Sequence, residues 1–204
     1  MNFLAHIYLS GNNEEILVGN FIGDYVKGRD YLDYPSEISR GIMLHRKIDQ
    51  FTDQHPVTKI SRSHIIQYYR KYSGIVIDIL YDYLLASNWE SYCDVPLPHY
   101  VNNVFQILKK NYEIFPQGIK NWFPNFLRNN WLMSYSTLGG IEIILHRMSS
   151  RTSLPEYTDQ AIEIFDEKMP QLMREFNQFF PDIRSFVMKN YGINTGCMSR
   201  KGFQ

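Results

Sequence analysis

Cysteine is scarce in this 204-residue chain, with only Cys93 and Cys197 present, far apart and without a CxxC pair. A disulfide-dense scaffold and a structural zinc site therefore lack their raw material. The same scarcity points to a reducing compartment, the cytoplasm. Charge of one sign is missing too, since 21 Lys plus Arg balance 21 Asp plus Glu. Non-specific nucleic-acid binding relies on net positive charge and is not expected. No apolar run is long enough to cross a bilayer. The short apolar run from Phe3 to Leu9 contains His6 and has no basic stretch before it, unlike a secretory signal. The sequence has no glycine-rich phosphate loop, G-x-S-x-G elbow or dinucleotide fingerprint. Neither cysteine has the activating neighbours of a thiol nucleophile.

What is present is an ordinary globular mix, 44% apolar and 21% charged, rich in aromatics with 15 Tyr, 13 Phe and 3 Trp. The length suits one domain with one core. Apolar residues recur at spacings of three and four between Pro, Gly and Asn breaks, which predicts helices and no strands. The expected fold is all-α, a single-domain bundle of about eight to ten helices over residues 1–191, with a mobile tail over 192–204. Predicted helices run from Asn2 to Leu9, from Asn13 to Lys27, from Pro35 to just before Pro56, and from Pro56 to Tyr72, the last closed by Gly74. Further ones run from Gly74 to Trp89, Pro98 to Glu113, Gln117 to Tyr135 and Leu138 to Ser149. A last stretch from Pro155 to Asn190 should break at Pro170 and Pro181.

Polar residues interrupt the apolar stripes at helical spacing. His45 and Asp49, four apart, fall beside the face of Ile38, Gly41, Ile42 and Ile48. Asn20 and Asp24 sit among Leu17, Phe21 and Tyr25. Asp78 and Asp82 interrupt Ile75, Ile79, Leu85 and Trp89, and His6 lies inside its apolar run. Burying unpaired carboxylates costs several kcal/mol each, on the order of the desolvation of an ion. A divalent cation would remove that cost; imidazole with carboxylate suits manganese, iron or zinc, and a carboxylate-rich set leans towards manganese or magnesium. Taken singly, each group also has an ordinary structural explanation, as a satisfied core histidine or a helix-surface hydrogen bond. Asp53, near a helix end, is expected to be structural or solvated, and His55, His64, His99 and His146 are assigned no chemistry.

The segments MNFLAHIYLS, GNFIGDYVKG, GIMLHRKIDQFTD and IDILYDYLLASNW, in this order, resemble successive motifs of the acyl carrier protein phosphodiesterase family. A weaker likeness appears at RMSSR, ending in Arg151, and at Trp131-Leu132. The family is regarded as a divergent branch of the HD-type phosphohydrolases, so the resemblance implies an HD-like helical fold. It also implies removal of 4′-phosphopantetheine from holo acyl carrier protein, with Mn2+ as the usual cofactor and Mg2+ or Fe2+ as substitutes. Carried over residue by residue, it makes His6, Asp24, His45, Asp49, Asp78 and Asp82 metal ligands, with Asp24 and His45 catalytic. Asn20, Lys27, Arg46 and Arg151 become candidates for substrate binding. Some family members read Asp-His where this chain reads Asp82-Tyr83, a departure that would weaken activity if that histidine binds metal. The partner is acidic, so a neutral enzyme needs a local basic face, expected along Lys27, Arg29, Arg40, Arg46 and Lys47. Three other readings stay open: an HD-type phosphohydrolase of a small phosphate ester or nucleotide, a degenerate helical binding protein, and a helical iron-dependent oxygenase.

Overall fold

A computed structural model describes residues Met1–Thr195. Among them are eleven α-helices, five short 3₁₀ turns and no strand. The helices are α1 (Phe3–Leu9), α2 (Glu14–Ile22), α3 (Ser36–Gln54), α4 (Pro56–Ser63), α5 (Ile66–Tyr69), α6 (Ser73–Ser87), α7 (Leu97–Lys110), α8 (Gln117–Arg128), α9 (Trp131–Ser134), α10 (Leu138–Ser149) and α11 (Thr158–Tyr191). The expected all-α class holds.

Several ends follow directly from local chemistry. Asn2 and Asn13 cap α1 and α2 by accepting from the amides of Phe3 and Ile16, and Glu14 and Glu15 sit where the helix dipole favours acids. Four boundaries differ from expectation. The second helix stops at Ile22 and passes into a 3₁₀ turn, Gly23–Tyr25, so Asp24 stands on a turn beyond the helix. The stretch after Pro56 divides into α4, α5 and a 3₁₀ turn at Arg70–Tyr72, and a φ of 45° at Arg70 ends α5. Gly74 lies inside α6 instead of closing the helix before it. A φ of 45° at Asn130 likewise separates α8 from α9.

The last helix does not break. Pro170 and Pro181 lie inside the 34-residue α11, and both are exposed. Water can satisfy the carbonyls they orphan, so the helix continues past them. The first residues of the expected tail also pack, since Ile193 and Thr195 are buried and Arg184 Nε donates to Thr195 Oγ1 at 3.0 Å. The rest of that tail lies outside the described residues.

A close crossing joins α2 to α3 at two glycines. A Cβ on Gly19 would fall 2.0 Å from Ile38 O, and one on Gly41 would fall 2.3 Å from Ile16 O. Only glycine lets the two backbones meet here. The chain after each glycine then carries site residues: Asn20 and, beyond the helix end, Asp24 after Gly19, and His45 and Asp49 on the next two turns after Gly41. Helix α1 lies against both α2 and α6, which brings His6 to the same place. An aromatic cluster anchors α8 to this end, with Phe21 5.5 Å from Phe126 and Phe3 5.7 Å from Trp122 between ring centroids.

Candidate metal and phosphodiester site

His6, His45 and Asp49 converge, with one ligand atom from each lying within 4.8 Å of the others. The two imidazole rings stack at 4.1 Å and are both buried. His6 Nε2 lies 3.0 Å from Asp49 Oδ1. His45 Nε2 lies 3.2 Å from both Asp49 Oδ2 and Asp24 Oδ1. The carboxylates are the solvent side of the cluster, Asp49 at 39% and Asp24 at 68% exposure. The ring of His45 packs directly on Gly23, where a Cβ would come within 2.4 Å of it.

Asn20 sets the orientation of both rings. Its backbone carbonyl lies 2.8 Å from His45 Nδ1, and its Oδ1 lies 2.8 Å from His6 Nδ1. Its Nδ2 donates to His6 O at 2.8 Å and to Ser10 Oγ at 2.9 Å, which leaves Oδ1 as the acceptor. Both oxygens only accept, so both Nδ1 atoms must carry the proton. In the neutral rings both Nε2 lone pairs then lie within 3.2 Å of carboxylate oxygens. Lone pairs facing lone pairs repel unless a proton or a cation lies between them. His45 Nε2 is buried and has no hydrogen bond of acceptable geometry. Two Nε2 donors and a carboxylate, each ring backed by an outer hydrogen bond, form a donor set that fits a divalent cation.

Electrostatics without a cation show the same strain. Burial disfavours charge on His45, but the two carboxylates beside it more than reverse that and push its pKa up to about 9. Burial lowers the pKa of His6, and the neighbouring His45 adds to the effect. Burial also opposes ionisation of Asp49, yet the two histidines outweigh it and hold this carboxyl well below the usual range. His45 holds Asp24 low as well.

The remaining expected ligands stand elsewhere. Asp82 is fully buried and accepts from the amides of Asn2 at 3.1 Å, Leu4 at 2.7 Å and Ala5 at 3.2 Å. It closes the N-terminal end of α1, and burial pushes its pKa up to about 7. Asp78 pairs with the Met1 ammonium at 2.9 Å. Both therefore brace the helix that presents His6 and do not join the gathered trio. Tyr83, the departure from the family pattern, packs against the core and does not line the cleft.

Asp24 and Asp49 open into a cleft of about 1140 Å³ that also contains Asp78, Trp122, Trp131 and Arg151. Of the expected substrate-binding residues, Arg151 is the one that lines it. Asn20 is fully buried and reaches only its own chain. Lys27 donates to Asp24 O, and Arg46 donates to Gly28 O at 2.8 Å and Val26 O at 2.7 Å, so both brace the 23–30 turn. Asp53 is exposed and pairs with Arg62, in keeping with its expected structural role. Arg62, Arg70, Lys71 and Arg147 were not singled out from sequence, although they line the cleft. Arg147 opens the RMSSR segment, whereas Arg62, Arg70 and Lys71 lie outside the quoted motifs, and no spacing rule connects the four.

A family model described as acyl carrier protein phosphodiesterase matches residues 1–183. The chain belongs to the acyl carrier protein phosphodiesterase family. It is 31% identical to the acyl carrier protein phosphodiesterase of Pectobacterium atrosepticum, over 89% of this chain and 94% of the relative. It is 29% identical to that of Yersinia enterocolitica over 91% and 96% of the two chains. The Yersinia pestis relative is 32% identical over 74% and 79%. No solved structure matches. This family member carries its gathered trio on two of the four sequence segments that suggested the likeness, His6 on the first and His45 with Asp49 on the third, and Asp24 on the same segment as Asn20. Among the described residues no helix is long and apolar enough to cross a membrane.

Proposed function

We propose that this chain hydrolyses the phosphodiester between 4′-phosphopantetheine and the serine of holo acyl carrier protein, releasing apo carrier and free 4′-phosphopantetheine. A divalent cation, manganese first, is held by His6, His45 and Asp49 with Asp24 at the solvent edge. The convergence of two oriented Nε2 atoms on Asp49 at the floor of an open cleft carries this reading, together with family membership. The cation would supply Lewis-acid chemistry, acidifying water and neutralising charge on the phosphoryl oxygens.

The chain's own groups have separate tasks. Asn20 fixes both tautomers, so neither ring must reorient before use. Asp24 stays ionised because His45 depresses its pKa, and its exposure lets it accept a hydrogen bond from the attacking water and aim it. Arg151 is placed in the same cleft to meet phosphate oxygens, a geometry that guanidinium suits. Cytoplasmic location fits a carrier-protein substrate.

The test is a mass measurement on holo acyl carrier protein incubated with the purified chain, with and without Mn2+. Manganese-dependent loss of the phosphopantetheine mass, abolished by Asp24→Ala and by His45→Ala, is the expected result. A folded, metal-loaded chain that leaves the carrier intact while cleaving a small phosphodiester would move the assignment to another ester.

A further inference from the structure

The cleft has a second wall that the hydrolytic cluster does not use. Arg70 and Lys71 come from the 3₁₀ turn after α5, and Arg147 and Arg151 from the end of α10 and just beyond it. Arg62, in the same cleft, is neutralised by Asp53. Among the described residues no carboxylate forms an ion pair with any of the other four. Two of them are held over aromatic faces, Arg147 at 5.8 Å from the Trp131 centroid and Lys71 at 5.0 Å from that of Tyr72. Four unpaired like charges around one opening repel one another and lose stability, an arrangement that suits a surface meeting negative charge. At about 1140 Å³ the opening exceeds the roughly 300–1,000 Å³ typical of small-molecule pockets. Four of the five cations expected from sequence turn back onto the chain, with Arg40 on Glu37, Lys47 on Gln50, and Lys27 and Arg46 on backbone carbonyls, while Arg29 is exposed and lies outside the cleft. The chain is neutral overall, so attraction to an acidic protein must come from a local patch.

We propose that Arg70, Lys71, Arg147 and Arg151 form the docking wall for the acidic face of a carrier protein, seated so that its phosphodiester reaches Asp24 and Asp49. The proposal rests on the hydrolytic function above and names the surface that selects its protein substrate. Charge complementarity of this kind speeds encounter and fixes orientation, and it weakens with salt.

The experiment titrates fluorescently labelled apo acyl carrier protein with the full chain and follows anisotropy at several salt concentrations. Apo carrier has no phosphodiester, so binding is measured apart from turnover. Arg147→Gln/Arg151→Gln and Arg70→Gln/Lys71→Gln should each weaken binding at least about tenfold and flatten the salt dependence. Lys59→Gln/Lys109→Gln, which removes two exposed charges outside the cleft, should leave it unchanged. Thermal midpoints check each fold, and if one cleft pair fails to fold, the other decides. Unchanged binding in the folded cleft variants would overturn the wall, as would an equal loss in the control pair or displacement of the carrier by a lower concentration of an RNA oligonucleotide. A chain that binds apo carrier through these residues but does not cleave holo carrier keeps the wall and loses the function. A chain that cleaves it with binding indifferent to these residues does the reverse.

Discussion

Asn20→Ala is the most informative single substitution for the site. Asn20 is fully buried, and its side chain makes three hydrogen bonds, to His6 Nδ1 and His6 O at 2.8 Å and to Ser10 Oγ at 2.9 Å. Ser10 Oγ keeps a donor role to His6 O at 2.9 Å, so that carbonyl retains one partner. The group left orphaned is His6 Nδ1–H. One unsatisfied buried donor costs about 1–3 kcal/mol of stability. Free of its acceptor, the His6 ring can take the other tautomer, which puts a proton on Nε2 where a lone pair should face the cation. Loss of such an outer partner typically costs about 10–100-fold in metal affinity. His45 is the internal control, because its Nδ1 is held by the backbone carbonyl of residue 20, which the substitution preserves. Calorimetric titration with Mn2+ should therefore show affinity reduced within that range but not abolished, while His45→Ala abolishes it. Asn20→Asp keeps the acceptor and loses the donors, so it should bind metal better than Asn20→Ala. A folded Asn20→Ala protein that binds Mn2+ as tightly as the parent would refute the assigned tautomers.

Three further outcomes follow from the same structure. For the metal-free protein, His45 has a pKa raised from 6.5 to about 9, so its contribution is complete below 6.5 and disappears as pH rises through 9. Asp82, raised from 3.8 to about 7, keeps its proton better when folded than unfolded, so it too withdraws stability as pH rises from 3.8 through 7. Thermal midpoints in chelator should fall steadily from pH 6 to pH 9 (about one tenfold change in population per 1.4 kcal/mol); a flat or rising profile contradicts both assignments. Gly41→Ala forces a Cβ within 2.3 Å of Ile16 O and should cost at least the roughly 1–3 kcal/mol of overpacking, whereas Gly139→Ala, with nothing within 4 Å, should be neutral or slightly stabilising in denaturant titrations. Asp82→Ala should lower stability by at least the roughly 0.5–2 kcal/mol of a lost helix cap. Asp82→Asn, which retains an acceptor for α1, should keep most of its Mn2+ affinity, and a loss as complete as that of His45→Ala would restore Asp82 as a ligand.

Much of the fold was legible because its signals are local. Leu138–Ser149 matches the predicted helix at both ends. The misjudged boundaries depend on tertiary contact. The 34-residue α11 survives two prolines only because both face water, and which face meets water is decided by α3, α4, α6 and α10 packing on the other side. One position of α6 was misread for a related reason. Ile75, expected on the inner stripe, is 40% exposed, whereas Ile79, Leu85, Trp89 and Asp82 are buried as expected. That helix is covered on most sides, so its sequence carries little amphipathic contrast from which a face could be chosen.

The site divides along the same line. His6, His45 and Asp49 could be proposed from sequence because each is a polar group on an otherwise apolar face, and the fold brings them together. Asp82 carried the identical signal for a different physical reason. A buried carboxylate can be compensated by a cation or by backbone amides, and a sequence records the carboxylate without its compensation. Three amides at the start of α1 supply it here, and they do so on the helix that holds His6. Asn20 shows the converse: a neutral amide among apolar residues suggested contact with a substrate, yet its saturated hydrogen bonds make it the support for both metal-facing rings. The cations were the least legible. Lys27 and Arg46 adjoin the motifs but turn back onto carbonyls left open by the 23–30 turn, because a 3₁₀ turn leaves acceptors that a helix would have used. Arg70 and Lys71 lie on a segment with no motif, Arg147 and Arg151 bound the weakly matching RMSSR, and only the packing of α5, α6 and α10 around the cleft makes them one surface.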